Sequence, residues 1–252
     1  MRASLRDAVL VPLAVSLMAT NLAAEPWPPL PPPRPSQMLP ASPPEAPPPT
    51  TVAPSGASEA TVSPPPANEC LARLKSAGYE IEAATSPVES NQDCRIDDPV
   101  KLRTIPVAGR EKPLRMPAEP LVACRFAESL GTWLGSLVAP MVLGATGSQL
   151  EAVQTGPGFQ CRNRNRLPSG KLSAHAEGLA LDIASFELAN ETKISVKPDG
   201  QDKHAMTVNA VRRAACGWFT TVLGPGSDPS HADHLHVDLQ VHGSSDRYRI
   251  CQ

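Results

Sequence analysis

The order of hydrophobic patterns along this chain predicts an α+β fold, with a central antiparallel sheet and flanking helices. Helical spacing is concentrated in the earlier part of residues 68–252, whereas later segments read as short antiparallel strands separated by turn residues. The regular strand–helix alternation of a parallel doubly wound sheet is not visible, and neither is an internal repeat.

Residues 1–24, MRASLRDAVLVPLAVSLMATNLAA, carry two arginines, then an apolar run, then small residues, which is the layout of a secretory signal. Cleavage after Ala24 would put Leu22 where a small residue is preferred. The run from Ala8 to Ala24 is also nearly long enough for a short uncleaved anchor, so both readings stand. Either one sends the rest of the chain across a membrane. Residues 25–67 then hold 17 of the chain's 30 prolines and few large apolar side chains. Such a segment buries too little surface to offset the entropy of ordering, and it reads as a solvated, partly polyproline-II tether. Residues 68–252 remain, long enough for one domain with a sizeable core.

Within that domain CLARLKSAGYEIEAA reads as a short helix running into a strand, with DDPVKLRTIPV after it. In EKPLRMPAEPLVACRFAESLGTWLGSLVAPMV, the residues Leu121, Val122, Phe126, Leu130, Trp133, Leu134 and Leu137 recur at helical spacing. Pro140 ends that pattern, and the stripe is read as core. SQLEAVQTG reads as a strand, followed by a turn at GPG and the basic loop CRNRNRLPSGK. LALDIASFEL reads as a buried strand, AMTVNAVRRAACG as a helix ended by Gly217, WFTTVL as a strand, and HLHVDLQV as a strand of period two.

All six cysteines fall in the folded part, and an even number behind an export signal reads as disulfides in an oxidising compartment. Spacing alone does not choose among the possible pairings. Pairing of neighbours, Cys70–Cys94, Cys124–Cys161 and Cys216–Cys251, is the expectation. The formal charge of −2 and the lack of a basic run argue against a nucleic-acid binder.

The stretch SHADHLHVDLQ, Ser230–Gln240, concentrates three of the chain's six histidines. On a strand, residues two apart share a face, so His234, His236 and Asp238 point one way and Leu235, Val237 and Leu239 the other. A second element, SAHAEGLALDI, holds His175 and Asp182 seven residues apart, with Gly178 able to turn the chain from a loop into the strand that carries Asp182. A carboxylate in an otherwise apolar strand needs a partner. Two histidines and a carboxylate, with a fourth position open to water, are the donor set of a catalytic zinc site. The general base expected beside it is His234 or His231 rather than Glu177, which sits in the loop after a ligand.

The pattern Ser-x-His-(x6)-Asp followed by His-x-His resembles the LAS metallopeptidases, the lysostaphin, D-Ala-D-Ala-peptidase and hedgehog types. The spacing His231-x-x-His234-x-His236 is similar to that of the penicillin-insensitive murein endopeptidases within that group. CLARLKSAGYE, CR with a nearby asparagine, LSAHAEGLALDIASF, AACGWFTTVLGPGSD and SHADHLHVDL together resemble the extensin-like C-terminal domain family from about Cys70 to Leu239. The turn at Gly226 and Ser227 departs from that family's usual segment and affects only the local loop shape.

The resemblance implies an LAS-type fold and a Zn2+ held by His175, Asp182 and His236. It implies that His234 is the acid/base and that His231 assists it or binds substrate. Arg162 matches the family's arginine and would hold a substrate carboxylate or an oxyanion, or else belong with Arg164 and Arg166 to a solvated basic loop. Ser173 would bond near the site or be an ordinary turn serine. Asp233 and Asp238 would orient imidazoles, with Asp238 alternatively a salt-bridged strand residue, while His204 and His242 are left as surface histidines. The expected function is a periplasmic, monomeric zinc hydrolase of D-amino-acid-containing peptide bonds in peptidoglycan, with membrane contact only through an uncleaved leader. A zinc-containing wall-binding or structural envelope protein without catalysis is the alternative.

Overall fold

The computed structural model describes residues 67–198, 200, 203–243 and 248–252. The leader and all of the tether except Ala67 lie outside the described residues. Ala67 already belongs to the first helix, α1 (Ala67–Ser76), which runs into β1 (Glu80–Ala83). Next come β2 (Pro99–Ile105), β3 (Leu114–Arg115) and β4 (Leu121–Ala123). A continuous helical run follows as α2 (Cys124–Trp133), a π-helical turn (Leu134–Val138) and α3 (Ala139–Thr146). The second half contains β5 (Leu150–Thr155), β6 (Ala180–Leu188), β7 (Lys193–Ser195), α4 (Ala205–Ala215), β8 (Thr221–Leu223), β9 (Leu235–Asp238) and β10 (Ile250–Cys251).

These strands join in one sheet of order β1-β2-β3-β5-β6-β9-β8-β10, with β4 also on β2 and β7 also on β6. Its pairs are antiparallel except β3 with β5 and β8 with β10. The class is therefore mixed α+β around a large, mainly antiparallel sheet. β6, the longest strand, lies between β5 and β9, and its register sets Asp182 directly opposite His236 on β9.

The helical stripe begins later and ends later than its spacing suggests. Leu121 and Val122 are strand residues, because their backbone groups are claimed by pairing with Lys101 and Val100 of β2. The helix starts at Cys124 and runs through Pro140, which follows directly on the π turn. The preceding π turn widens the hydrogen-bond ladder there, and the run stops only at Gly147, φ +72°. This run is core: Phe126, Leu130, Trp133, Leu134 and Val138 are fully buried, and Phe219 packs edge-on to Trp133 at 5.3 Å.

Two of the three expected cysteine pairs are replaced. The disulfides are Cys70–Cys124, Cys94–Cys161 and Cys216–Cys251, with Cα separations of 6.2, 5.4 and 6.0 Å. α1 packs on α2, so Cys70 meets Cys124 at the start of α2 and not its neighbour in sequence. Cys94, in the connection between β1 and β2, then crosses to Cys161 in the loop after β5. Three disulfides and no free cysteine among the described residues are compatible with an extracellular or envelope protein.

Candidate metal centre

Three separated segments converge where β6 and β9 lie side by side. His175 sits in a 3₁₀ turn (Ala174–Glu177) that Gly178 terminates with φ +65°, its N–H donating to the His175 carbonyl at 3.1 Å. Any side chain at Gly178 would meet the Ala123 backbone nitrogen at 2.8 Å, so the turn from His175 into β6 requires glycine twice over. Four residues on, Asp182 projects from β6 toward His236 of β9.

The inward-facing atoms of His175 (Nε2), Asp182 (Oδ1) and His236 (Nδ1) form a triangle with edges of 3.2, 3.3 and 2.9 Å. Zinc–ligand distances of about 2.0–2.1 Å give a tetrahedron edge of about 3.3–3.4 Å, so the triangle has nearly the size of one tetrahedral face. The outer nitrogens explain why both imidazoles turn this way. His175 Nδ1–H donates to the Gly158 carbonyl at 2.7 Å, and His236 Nε2–H donates to Asp238 Oδ2 at 3.0 Å. A carbonyl and an ionised carboxylate can only accept, so each neutral ring presents its lone pair to the centre, where a carboxylate oxygen also points. Three acceptors within 4.8 Å of one another need a cation among them. This donor set fits zinc.

Without a metal, a proton meets that need. Burial alone would lower the His236 pKa, but its bonds to Asp182 and Asp238 outweigh burial and raise it to about 9. Burial would likewise raise Asp182, and the bonds from His175 and His236 overcome it and hold the carboxyl far below the ordinary range. Asp238 is also held low, burial being outweighed by His236.

Two further histidines lie at the rim, each oriented by a carboxylate. His234 bonds Asp233 through Nδ1 at 2.8 Å and sets Nε2 3.4 Å from Asp182 Oδ1. His231 bonds Asp228 through Nδ1 at 2.7 Å, and burial keeps it more readily neutral than an ordinary histidine despite that carboxylate. Its ring lies 5.3 Å from that of His234 and 5.5 Å from that of His236. The Arg162 guanidinium approaches Asp182 Oδ2 at 3.7 Å, with Nε donating to Gln160 at 2.8 Å. A cavity of about 110 Å³ opens here, lined by Arg162, Ser173, His231 and His236 among others.

The structure thus gathers His175, Asp182, His236, His234, His231 and Arg162 in one place, with Asp233 and Asp238 on the imidazoles they were expected to orient. Glu177 lines a different cavity. His242 is not a surface histidine: it is partly buried and bonded to Thr221 at 2.7 Å. His204, also partly buried, stands at the N-terminus of α4. Two contributors escaped the sequence. Gly158 acts through its carbonyl, which no residue type announces. Its φ of +84° and a clash of any Cβ with the Leu121 carbonyl make glycine obligatory. Asp228 caps the turn Pro229–His231, accepting from Ser230 N–H at 2.8 Å, and the Asp-Pro-Ser-His run was the available signal.

No curated protein and no solved structure matches the chain. The family model described as extensin-like protein C-terminus matches residues 68–252, and the chain belongs to that family.

Proposed function

We propose that residues 68–252 form an exported, periplasmic zinc hydrolase that cleaves D-amino-acid-containing peptide bonds of peptidoglycan, as endopeptidase or carboxypeptidase. The observation that carries this reading is the triangle of His175, Asp182 and His236, each imidazole fixed from outside so that its lone pair faces in. The motif resemblance to the LAS metallopeptidases extends the same reading, under which the mainly antiparallel sheet is of LAS type.

Zinc in this position would supply Lewis acidity and a nucleophile available at neutral pH. The chain's own residues do the rest. His234, tied to Asp233, keeps Nε2 at the centre to take up and return a proton. His231, kept neutral, presents a second imidazole beside it. Arg162 is placed to pair with a substrate carboxylate or a developing oxyanion in exchange for its long contact with Asp182. The test is incubation of the full chain with purified peptidoglycan, with and without zinc and a chelator, read by mass spectrometry of the released peptides. Cleavage beside a D-residue that disappears with chelator and in His236→Ala is expected. An identical product pattern in all samples rejects the proposal.

One observation favours the non-catalytic alternative. His236 has a carboxylate at each ring nitrogen, Asp182 at 2.9 Å and Asp238 at 3.0 Å, and in its protonated form would neutralise much of the cluster without a metal, leaving it a structural role. Protein purified from zinc-replete medium without bound zinc would favour that role.

A further inference from the structure

A second, much larger cavity of about 820 Å³ lies beside the centre, and Arg164 and Gln240 line both it and the small cavity next to His236. These two residues are bonded, Arg164 Nη2 donating to Gln240 Oε1 at 2.7 Å, so the two spaces meet at a fixed wall. Around the larger one stand Arg125, Arg164 and Lys171, all exposed. None of the three has a carboxylate within ion-pair distance among the described residues, whereas Arg95 on the same wall is already paired with Asp97. Three cations without an ion-pair partner stand against the carboxylates of Asp93 and Glu177 in the same lining, likewise unpaired among the described residues. The concavity is left net positive and favours a ligand with several anionic groups. Glu177 in the same lining offers a place for an ammonium group, and the carboxamides of Asn91, Asn163 and Gln240 can bond peptide groups. The rim is anchored: the Cys94–Cys161 disulfide ties the loop carrying Asn91 to the residue before Arg162.

We propose that this cavity is the docking subsite for a peptide bearing two or more free carboxylates, with Arg164 at the junction guiding the chain toward His236. The inference deepens the hydrolase reading and rests on it for what happens next door, while the binding itself requires no metal. The carboxylates of a peptide and those of an acidic polysaccharide share this chemistry. The mix of cations, a carboxylate and carboxamides commits the site to a peptide.

The experiment is isothermal titration of the full chain with the tetrapeptide L-Ala–D-Glu–meso-diaminopimelate–D-Ala, with the same peptide amidated at every carboxyl, and with trigalacturonate. The free-acid peptide should bind about tenfold or more tighter than the other two, equivalent to about 1.4 kcal/mol. The R125E/K171E double variant should lose about tenfold, and added salt should weaken binding further. His236→Ala should retain the affinity. Both substituted side chains are exposed, so the double variant should unfold at the parent temperature; if it does not, R125Q/K171Q replaces it. Equal binding of the amidated peptide or of trigalacturonate, or undiminished binding by the charge variants, overturns the proposal. Carboxylate-dependent binding without any hydrolysis would sustain this inference and reject the hydrolase. Hydrolysis with binding indifferent to Arg125 and Lys171 would do the reverse.

Discussion

Asp238→Asn tests whether the outer bond on His236 controls what the centre can hold. Asp238 is 4 % exposed, and its two oxygens have different duties. Oδ1 accepts from Gln240 N–H at 3.0 Å and lies 3.2 Å from the Thr220 hydroxyl, whose one proton also faces the Asp238 carbonyl at 3.1 Å, while Oδ2 accepts from His236 Nε2–H at 3.0 Å. In the asparagine variant the single oxygen stays at the Oδ1 position, because the fixed backbone N–H of Gln240 points at it. The amide NH₂ then faces His236 Nε2, which becomes an acceptor, and the ring's proton moves to Nδ1 and points into the centre. The lone pair that completes the triangle is lost unless the amide flips and abandons Gln240. Loss of an outer partner of a metal-bound histidine typically costs 10–100-fold in affinity, and the enforced tautomer places this variant near the upper end, about 2.7 kcal/mol. The assay is competition for zinc against a chromophoric chelator at fixed pH, with thermal unfolding in excess chelator as the control for folding. Parent and variant agreeing within about threefold in zinc affinity, a difference well below that range, would refute the tautomer argument.

Replacing His234 by Gln should leave zinc content unchanged and reduce peptidoglycan cleavage by about 10²–10⁴-fold; loss of the metal together with activity would instead make His234 a ligand. Phe219→Ala opens a void against Trp133 and Phe126 and should cost about 3–5 kcal/mol. For a domain of this size that lowers the unfolding midpoint by roughly 6–20 °C, and a shift of only a degree or so would mean the core repacks. Glu128, doubly bonded to Arg73 at 2.8 Å, has its carboxyl pKa held down chiefly by that bond. A depressed carboxyl contributes stability above its unfolded value of 4.5 and loses it as the pH falls through the folded value. Both side chains are more than a third exposed, so E128Q should lower the midpoint at pH 7 several-fold less than Phe219→Ala. The gap between parent and variant should close in acid, and a gap that widened there would reverse the sign.

The His–Asp–His cluster was legible because it obeys local rules. His236 and Asp238 alternate on β9, with His234 in the bend just before it, and Asp182 stands out as a carboxylate among apolar neighbours. What escaped depends on where the chain passes near itself. Gly158 reaches His175 by a backbone carbonyl, the cysteines pair across elements that sequence distance cannot rank, and Pro140 survives inside a helical run because the turn before it widens. Even the legible part was incomplete in a definite sense. Residue types named the donors, but the triangle exists only because β6 and β9 pair in the register that opposes Asp182 to His236. A slip of one residue would turn His236 to the opposite face and bring Leu235 or Val237 to Asp182. That register is held from both sides. Ile183, Leu235 and Val237 are buried in the core, and β8 pairs Leu223 with His236 on the other edge of β9. The apolar residues between the donors therefore determine the geometry of the site as much as the donors do, and a polar substitution at Val237 should disturb zinc affinity without touching a ligand.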